Sequence, residues 1–450
     1  MSGVSTARAA AFEVLRATFE RGAFTEVAFR ELADRGALEG RERAQAQRLA
    51  FGAVQRRGTS DAVIAELAER SPRLLDPPVA AALRLGLYEL LFSDATPDHA
   101  AVDQAVELTK GAGAGHAAGL VNAVLRRAVR ERRRLGTLLE DDSTPEAAAV
   151  AHSAPLWLVE LWWRELGAEA ARSLLAACNE PAERAMRVNT LRAEREAVLE
   201  SLRAAGAEAR PAVGEGLLAA AEMIVFEGSI AAALPLVEAG ELVPQSRGSA
   251  AVVEVLAPLP GEQVLDLCAG PGIKTGQIAA RMGDRGEVIS VEIDSARAQE
   301  LAAGAERLGL RGVTVIETDA RSFDIGRRFD RVLVDAPCSD LGTLASRPDA
   351  RWRKSAEGVR RLAGVQAEIL RSAARALRPG GTLVYATCTV SRAENERRVE
   401  ELLADGEGLR ADDLSRLAPG LASPLDRRSL QLRPDRDRTT GFFIARLQRG

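Results

Sequence analysis

Cysteine, lysine and histidine are all scarce in this 450-residue chain. The four cysteines, Cys178, Cys268, Cys338 and Cys388, form no C-x-x-C pair, and the three histidines lie far from them. That excludes a disulfide framework and the usual zinc spacings, so no metal is expected. Long apolar runs are absent too. Nothing approaches the roughly 18 residues a membrane span needs, and the N-terminus reaches Glu13 without the apolar core of a secretory signal. Nor is there an excess of one charge: 60 basic residues face 64 acidic ones, a formal charge of −4. Nucleic-acid binding would therefore have to come from local patches. These absences bound the chain to a soluble, reduced, cytoplasmic protein. Only Lys110, Lys274 and Lys354 are lysines, which makes each of them informative.

What is present is enough apolar material, 46% of residues, for real cores, and a length that suggests two or three domains. Residues 1–140 read as an all-α bundle. Phe12, Leu15 and Phe19 recur at helical spacing, as do Val79, Leu83, Leu87, Leu90 and Leu91, and then Val121, Val124, Leu125 and Ala128. The last of these helices leads into six arginines: Arg126, Arg127, Arg130, Arg132, Arg133 and Arg134. They read either as cations complementing a helix C-terminus or as contacts to RNA phosphates. Residues 145–245 read as a small α/β connecting domain in which Trp157, Trp162 and Trp163 serve packing.

From 246 to 450 the pattern becomes strand alternating with helix, which implies a doubly wound, mostly parallel sheet. Strands are expected at Gln263–Leu267, Glu287–Ile293, Val313–Ile316, Arg331–Val334, Thr382–Ala386 and Gly441–Leu447. Ligands of such sheets sit beyond the carboxyl ends of the strands. There the first strand enters Cys268-Ala269-Gly270-Pro271-Gly272-Ile273-Lys274-Thr275. A phosphate loop fails here because Cys268 and Ile273 occupy its glycine positions. The dinucleotide pattern fails because Thr275 stands where its third glycine belongs. What survives is a glycine turn with Glu292 closing the next strand, placed for ribose hydroxyls, and Asp319 closing the third, placed for an adenine amino group. That set suits S-adenosyl-L-methionine, which has no pyrophosphate; a generic nucleotide or a structural turn stays open on these residues alone.

Asp335-Ala-Pro-Cys338-Ser339 closes the fourth strand and Thr387-Cys388-Thr389 the fifth, so two thiols face the presumed cofactor from adjacent strand ends. Carbon 5 of cytosine is a poor nucleophile. A thiolate adding at carbon 6 turns the ring into an enamine whose carbon 5 can accept a methyl group, which is covalent catalysis. Asp335 could hold the ring near nitrogen 3, and Lys274 could supply charge to the base or to a thiolate. A stretch from Leu341 to Lys354, with Arg347, Arg351, Trp352, Arg353 and Lys354, is expected either to contact RNA or to be a solvated loop.

The C-terminal 200 residues resemble the RNA cytosine-5 methyltransferase family. The matches are Asp266 to Thr275, Val291-Glu-Ile-Asp294, Asp335 to Ser339, Arg347-Pro-Asp349 with Trp352, Thr387-Cys388 and Gly441-Phe-Phe443. The helical N-terminal part looks like a NusB-type RNA-binding domain. NusB-like, connecting and Rossmann-like methyltransferase domains together form the architecture of the 16S rRNA enzymes of the RsmB (Fmu/Sun) type. The resemblance implies Cys388 as nucleophile and Cys338 as an aid to product release. It also implies cofactor contacts at Cys268, Ala269, Gly270, Pro271, Gly272, Ile273, Lys274, Glu292, Asp319 and Asp335. A monomer acting on 16S rRNA, with no DNA partner, is expected. The chain departs from the family loop Cys-Ala-Ala-Pro-Gly-Gly-Lys at Gly270 and Ile273. An RNA-binding or antitermination-type factor with an inactive fold, or the same chemistry on tRNA, are the alternatives.

Overall fold

The computed structural model describes residues 3–93, 96–214, 216–227, 230–406 and 408–450. Two compact units divide the chain: Met1–Glu180 together with Leu344–Lys354, and Pro181–Thr343 together with Ser355–Gly450.

The first unit is helical, and no strand occurs among its described residues. Helix Pro77–Phe92 runs through its centre, started by prolines that fit the first turn. Apart from the ion-paired Arg84 and Glu89 it is apolar almost throughout, because it serves two cores at once. Ala81, Ala82 and Leu85 join Phe12, Leu15 and Leu49 in one. Leu83, Leu87 and Leu90 join Val121, Val124 and Leu125 in the other. The expected stripes are therefore core stripes. Trp162 is fully buried, in keeping with packing. The stretch expected as one connecting domain divides between the units: helices Leu156–Leu166 and Ala168–Ala177 lie in the first.

Most of the arginine cluster is occupied within this unit. Arg126 bonds Asn122, Arg127 pairs with Glu131, and Arg132 with Asp98. Arg134 pairs with Glu66 and Glu131. Four of the six therefore have partners within this unit, and Arg132, Arg133 and Arg134 open a further helix, Arg132–Glu140, instead of closing the preceding one. Within the segment expected to contact RNA or to be solvated, Arg351 and Trp352 take neither role. Arg351 is 1% exposed, donating to the carbonyls of Ser153 (3.1 Å) and Cys178 (2.8 Å) and to Asn179 Oδ1 (3.0 Å). The Trp352 indole donates to the Val54 carbonyl at 2.9 Å. These carbonyls lie at helix ends, where the regular helical N–H donors run out.

The second unit begins with strands β1 (Ala185–Val188), β2 (Glu208–Pro211), β3 (Met223–Glu227) and β4 (Leu242–Pro244). They form an antiparallel sheet of order β2-β3-β1-β4, against which helix Arg195–Ala204 packs Val198, Leu199 and Leu202.

The larger sheet contains β5 (Gln263–Leu267), β6 (Glu287–Glu292), β7 (Val313–Glu317), β8 (Phe329–Asp335), β9 (Leu377–Thr387), β10 (Leu409–Ala411), β11 (Leu430–Leu432) and β12 (Phe442–Arg449). Its order is β10-β12-β9-β8-β5-β6-β7, with β11 also on β12. The run from β9 to β7 is parallel, and β12 is antiparallel to β9. Both faces are covered, so alternate residues of one strand enter different cores. Val332, Val334, Leu383 and Tyr385 face one way; Leu333, Val384 and Ala386 face the other. The chain leaves β5 towards β6 on one side and meets β8 on the other. That reversal opens a crevice at the carboxyl ends.

Removing Arg351 would take a donor from the Ser153 carbonyl and from Asn179 Oδ1, while the Cys178 carbonyl would keep the Gln55 amide at 2.9 Å. The burial of Arg351 without an anion is already costly, and lowers its pKa to about 10, so the two effects partly offset. Arg351→Met is expected to destabilise the helical unit by about 2 kcal/mol, read as a lower urea midpoint. An unchanged midpoint would show that the segment is not anchored there.

Candidate active site

Beyond the carboxyl ends of β5, β6, β7, β8 and β9 lies a cavity of about 660 Å³. It is lined by Cys268–Pro271, Ile273, Lys274, Glu292, Asp319, Asp335, Cys338 and Cys388, among others. All but one of the expected site residues therefore line one space. The exception is Gly272, which shapes the loop from behind: a Cβ there would sit 2.7 Å from Leu301 Cγ.

The loop after β5 turns by placing alternate residues in the left-handed region, Cys268 at φ 66°, Gly270 at 57° and Gly272 at 84°. Only Cys268 bears the steric cost of a side chain there. Ile273 begins the following helix, after the last of these positions, so its side chain costs no backbone strain. Glu292 ties the loop down. Its oxygens accept the Gly270 N–H at 2.8 Å and the Asp294 N–H at 2.9 Å. Asp319 caps the short turn Ala320–Ser322 and is gripped by the Arg321 guanidinium, which holds its carboxyl below the usual range. The Lys274 ammonium lies 2.6 Å from Asp335 Oδ2 and 5.1 Å from the centre of the Phe442 ring. That contact gives the Gly441-Phe-Phe443 segment a place at the site.

The two thiols meet. Cys338 Sγ and Cys388 Sγ are 3.3 Å apart, and Cys388 Sγ is 3.1 Å from Asp340 Oδ1. The hydrogen bond with Cys338, followed by burial, pushes the Cys388 thiol well up. Burial does the same to Cys268. Around the pair the backbone is locked at two points. The Gly342 N–H donates to the Cys388 carbonyl at 3.0 Å, and the Gly441 N–H to the Gly342 carbonyl at 2.8 Å. Both glycines are obligatory, since a Cβ on Gly342 would fall 2.4 Å from the Gly441 carbonyl oxygen. Below, Glu394 accepts the Ser339 N–H at 2.9 Å and the Gln366 amide at 3.1 Å, while Ser339 and Thr389 join their hydroxyls at 2.8 Å.

Sequence reasoning passed over three carboxylates. Asp340 stands two residues after Cys338 and Glu394 six after Cys388, and neither spacing signals a role. Asp266 was quoted only as the start of the loop motif. It is fully buried: Oδ2 accepts the Thr275 hydroxyl at 2.7 Å, and Oδ1 has no partner.

Three family descriptions match in chain order: the NusB family over 5–130, an RsmF/B-like ferredoxin-like domain over 154–223, and 16S rRNA methyltransferase RsmB/F over 253–448. The probable ribosomal RNA small subunit methyltransferase B of Synechocystis sp. is 33% identical, covering 99% of both chains. Its namesake in Bacillus subtilis is 32% identical, again over 99% of each. Among solved structures, that of PH0851 superposes with a TM-score of 0.82 at 27% identity, covering all of both chains.

Desolvation lifts the Asp266 carboxyl to about 7, against the pull of Thr275. The folded chain thus keeps it protonated up to about pH 7, whereas the unfolded chain ionises it near pH 4. The stability this group contributes is complete below about pH 4. It falls as pH rises to about 7, by on the order of 4 kcal/mol. Asp266→Asn should remove that slope and raise the urea midpoint at pH 8 more than at pH 5. An equal shift at both pH values would contradict the assignment.

Proposed function

The chain belongs to the ribosomal RNA small subunit methyltransferase B family of RNA 5-methylcytosine methyltransferases, and from that premise we propose that it methylates carbon 5 of a cytosine in 16S rRNA through a transient bond between Cys388 and carbon 6. The observation that carries this reading is the 3.3 Å separation of Cys388 and Cys338 on one cavity wall. S-adenosyl-L-methionine, when bound, supplies the sulfonium methyl group. The residues present fit it. Glu292, Asp319 and Asp335 line the cavity, while Lys274 and Arg321 are each paired with one of these acids. Glu292 would hold the ribose hydroxyls and Asp319 the adenine amino group, with the backbone from Cys268 to Lys274 around them.

Cys388 adds to carbon 6 and the electron pair of the 5,6 double bond moves to carbon 5, which becomes the nucleophile. Asp335, held by Lys274, faces the ring near nitrogen 3. After methylation the carbon-5 proton passes to water, the carbon–sulfur bond breaks and its pair returns to Cys388. The S–H of Cys338 can hydrogen-bond the departing sulfur, which assists release. The target base must be unpaired or drawn out of its helix. An inactive RNA-binding factor is disfavoured by membership of a methyltransferase family, and a tRNA substrate by relatives named for small-subunit rRNA.

With S-adenosyl-L-methionine and a 16S rRNA fragment carrying 5-fluorocytosine, the wild-type chain is expected to form a covalent adduct. Cys388→Ala should abolish it, and Cys338→Ala should let enzyme–RNA complex accumulate on ordinary RNA. Adduct formation that survives both substitutions would sink the mechanism. Bisulfite sequencing of rRNA and tRNA from cells with and without the protein reads the substrate and the position together.

A further inference from the structure

We propose that Asp340 is a catalytic residue, its carboxylate taking the proton from the Cys388 thiol as the sulfur adds to carbon 6. This deepens the covalent reading above and rests on it. Asp340 Oδ1 lies 3.1 Å from Cys388 Sγ and 3.8 Å from Cys338 Sγ, and the three groups line the same cavity. A sulfur, a sulfur and a carboxylate oxygen all fall within 4.8 Å of one another.

The turn that presents this carboxylate is built around it. Asp340 has φ 58°, a conformation glycine adopts freely and an L side chain at a steric cost. Its carbonyl accepts both the backbone N–H and the hydroxyl of Thr343, at 3.0 and 2.9 Å. Two residues on, Gly342 donates to the Cys388 carbonyl. Asp340 and Cys388 are thus joined through backbone as well as side chain, and the carboxylate is fixed on the sulfur.

The other acids nearby are turned elsewhere. Asp335 faces the Lys274 ammonium, and Glu394 faces Ser339 and Gln366. The pocket also keeps Cys388 as a thiol at rest, so a proton must leave before or during attack. In the step, the S–H proton moves to Asp340 Oδ1, the S–C6 bond forms, and the 5,6 π pair moves to carbon 5. On elimination the S–C6 pair returns to sulfur and Asp340 hands the proton back. The carbon-5 proton leaves separately to water, so Asp340 ends each cycle ionised.

Two variants test this, Asp340→Asn and Asp340→Gly, the second also relaxing the backbone at the left-handed position. Two rates are measured: adduct formation with the 5-fluorocytosine RNA and S-adenosyl-L-methionine, and alkylation of Cys388 by iodoacetamide in cofactor-free protein, mapped by peptide mass. The expected result is adduct formation slower by at least about 100-fold in both variants. Alkylation of Cys388 should be unchanged or faster, because a negative neighbour that hinders ionisation has gone. Adduct rates within about threefold of wild type would overturn the proposal. So would loss of both reactivities together, which marks a prop for the loop. If instead Cys388→Ala still methylates, the covalent reading itself fails, and this proposal with it.

Discussion

Two sulfur atoms held 3.3 Å apart at the ends of neighbouring parallel strands set the demands that the surrounding fold meets. In β8 and β9, Asp335 pairs in register with Ala386, so Cys338 and Cys388 each follow the last paired residue by only a few positions. Parallel strands in register deliver two loops to one point without a long excursion. The glycines at 342 and 441 then let a third segment touch the Cys338 loop backbone to backbone. A buried lattice of Ser339, Thr389, Gln366 and Glu394 closes the underside. Gln366 Oε1 is left without a partner, but the remaining bonds tie both cysteine loops to one scaffold.

The cofactor side is organised on a different principle. Its loop stores conformational cost at Cys268 and secures the turn with Glu292, whose two oxygens accept from two backbone amides. Beneath it Asp266 sits in a setting that favours its neutral form. Charge is balanced locally for two of the lining cations, Lys274 with Asp335 and Arg321 with Asp319.

Much of this was legible from the residues. The strands of the larger sheet fall where short apolar runs end in an acid or a glycine, and Gln263–Leu267 coincides with its expected bounds. The cysteine pair was legible because each thiol belongs to a compact local motif. The rest depends on partners distant in sequence. Arg134 finds Glu66 and Arg132 finds Asp98, which no local charge pattern announces. Arg351 and Trp352 read as RNA contacts or as part of a solvated loop, yet they fill helix-end positions made by residues some 170 to 300 places earlier. The strands Leu409–Ala411 and Leu430–Leu432 are too short for any period to show. Asp340 escaped notice because a carboxylate two residues beyond a cysteine is unremarkable until the turn aims it.

The central claim is that Cys338 and Cys388 share one pocket in the folded chain, and thiol bridging tests it most directly. A short bifunctional thiol reagent applied to the native protein should yield one dominant product, a peptide pair joined through Cys338 and Cys388. Separate capping of the two sulfurs, or bridges running instead to Cys268 or Cys178, would contradict it.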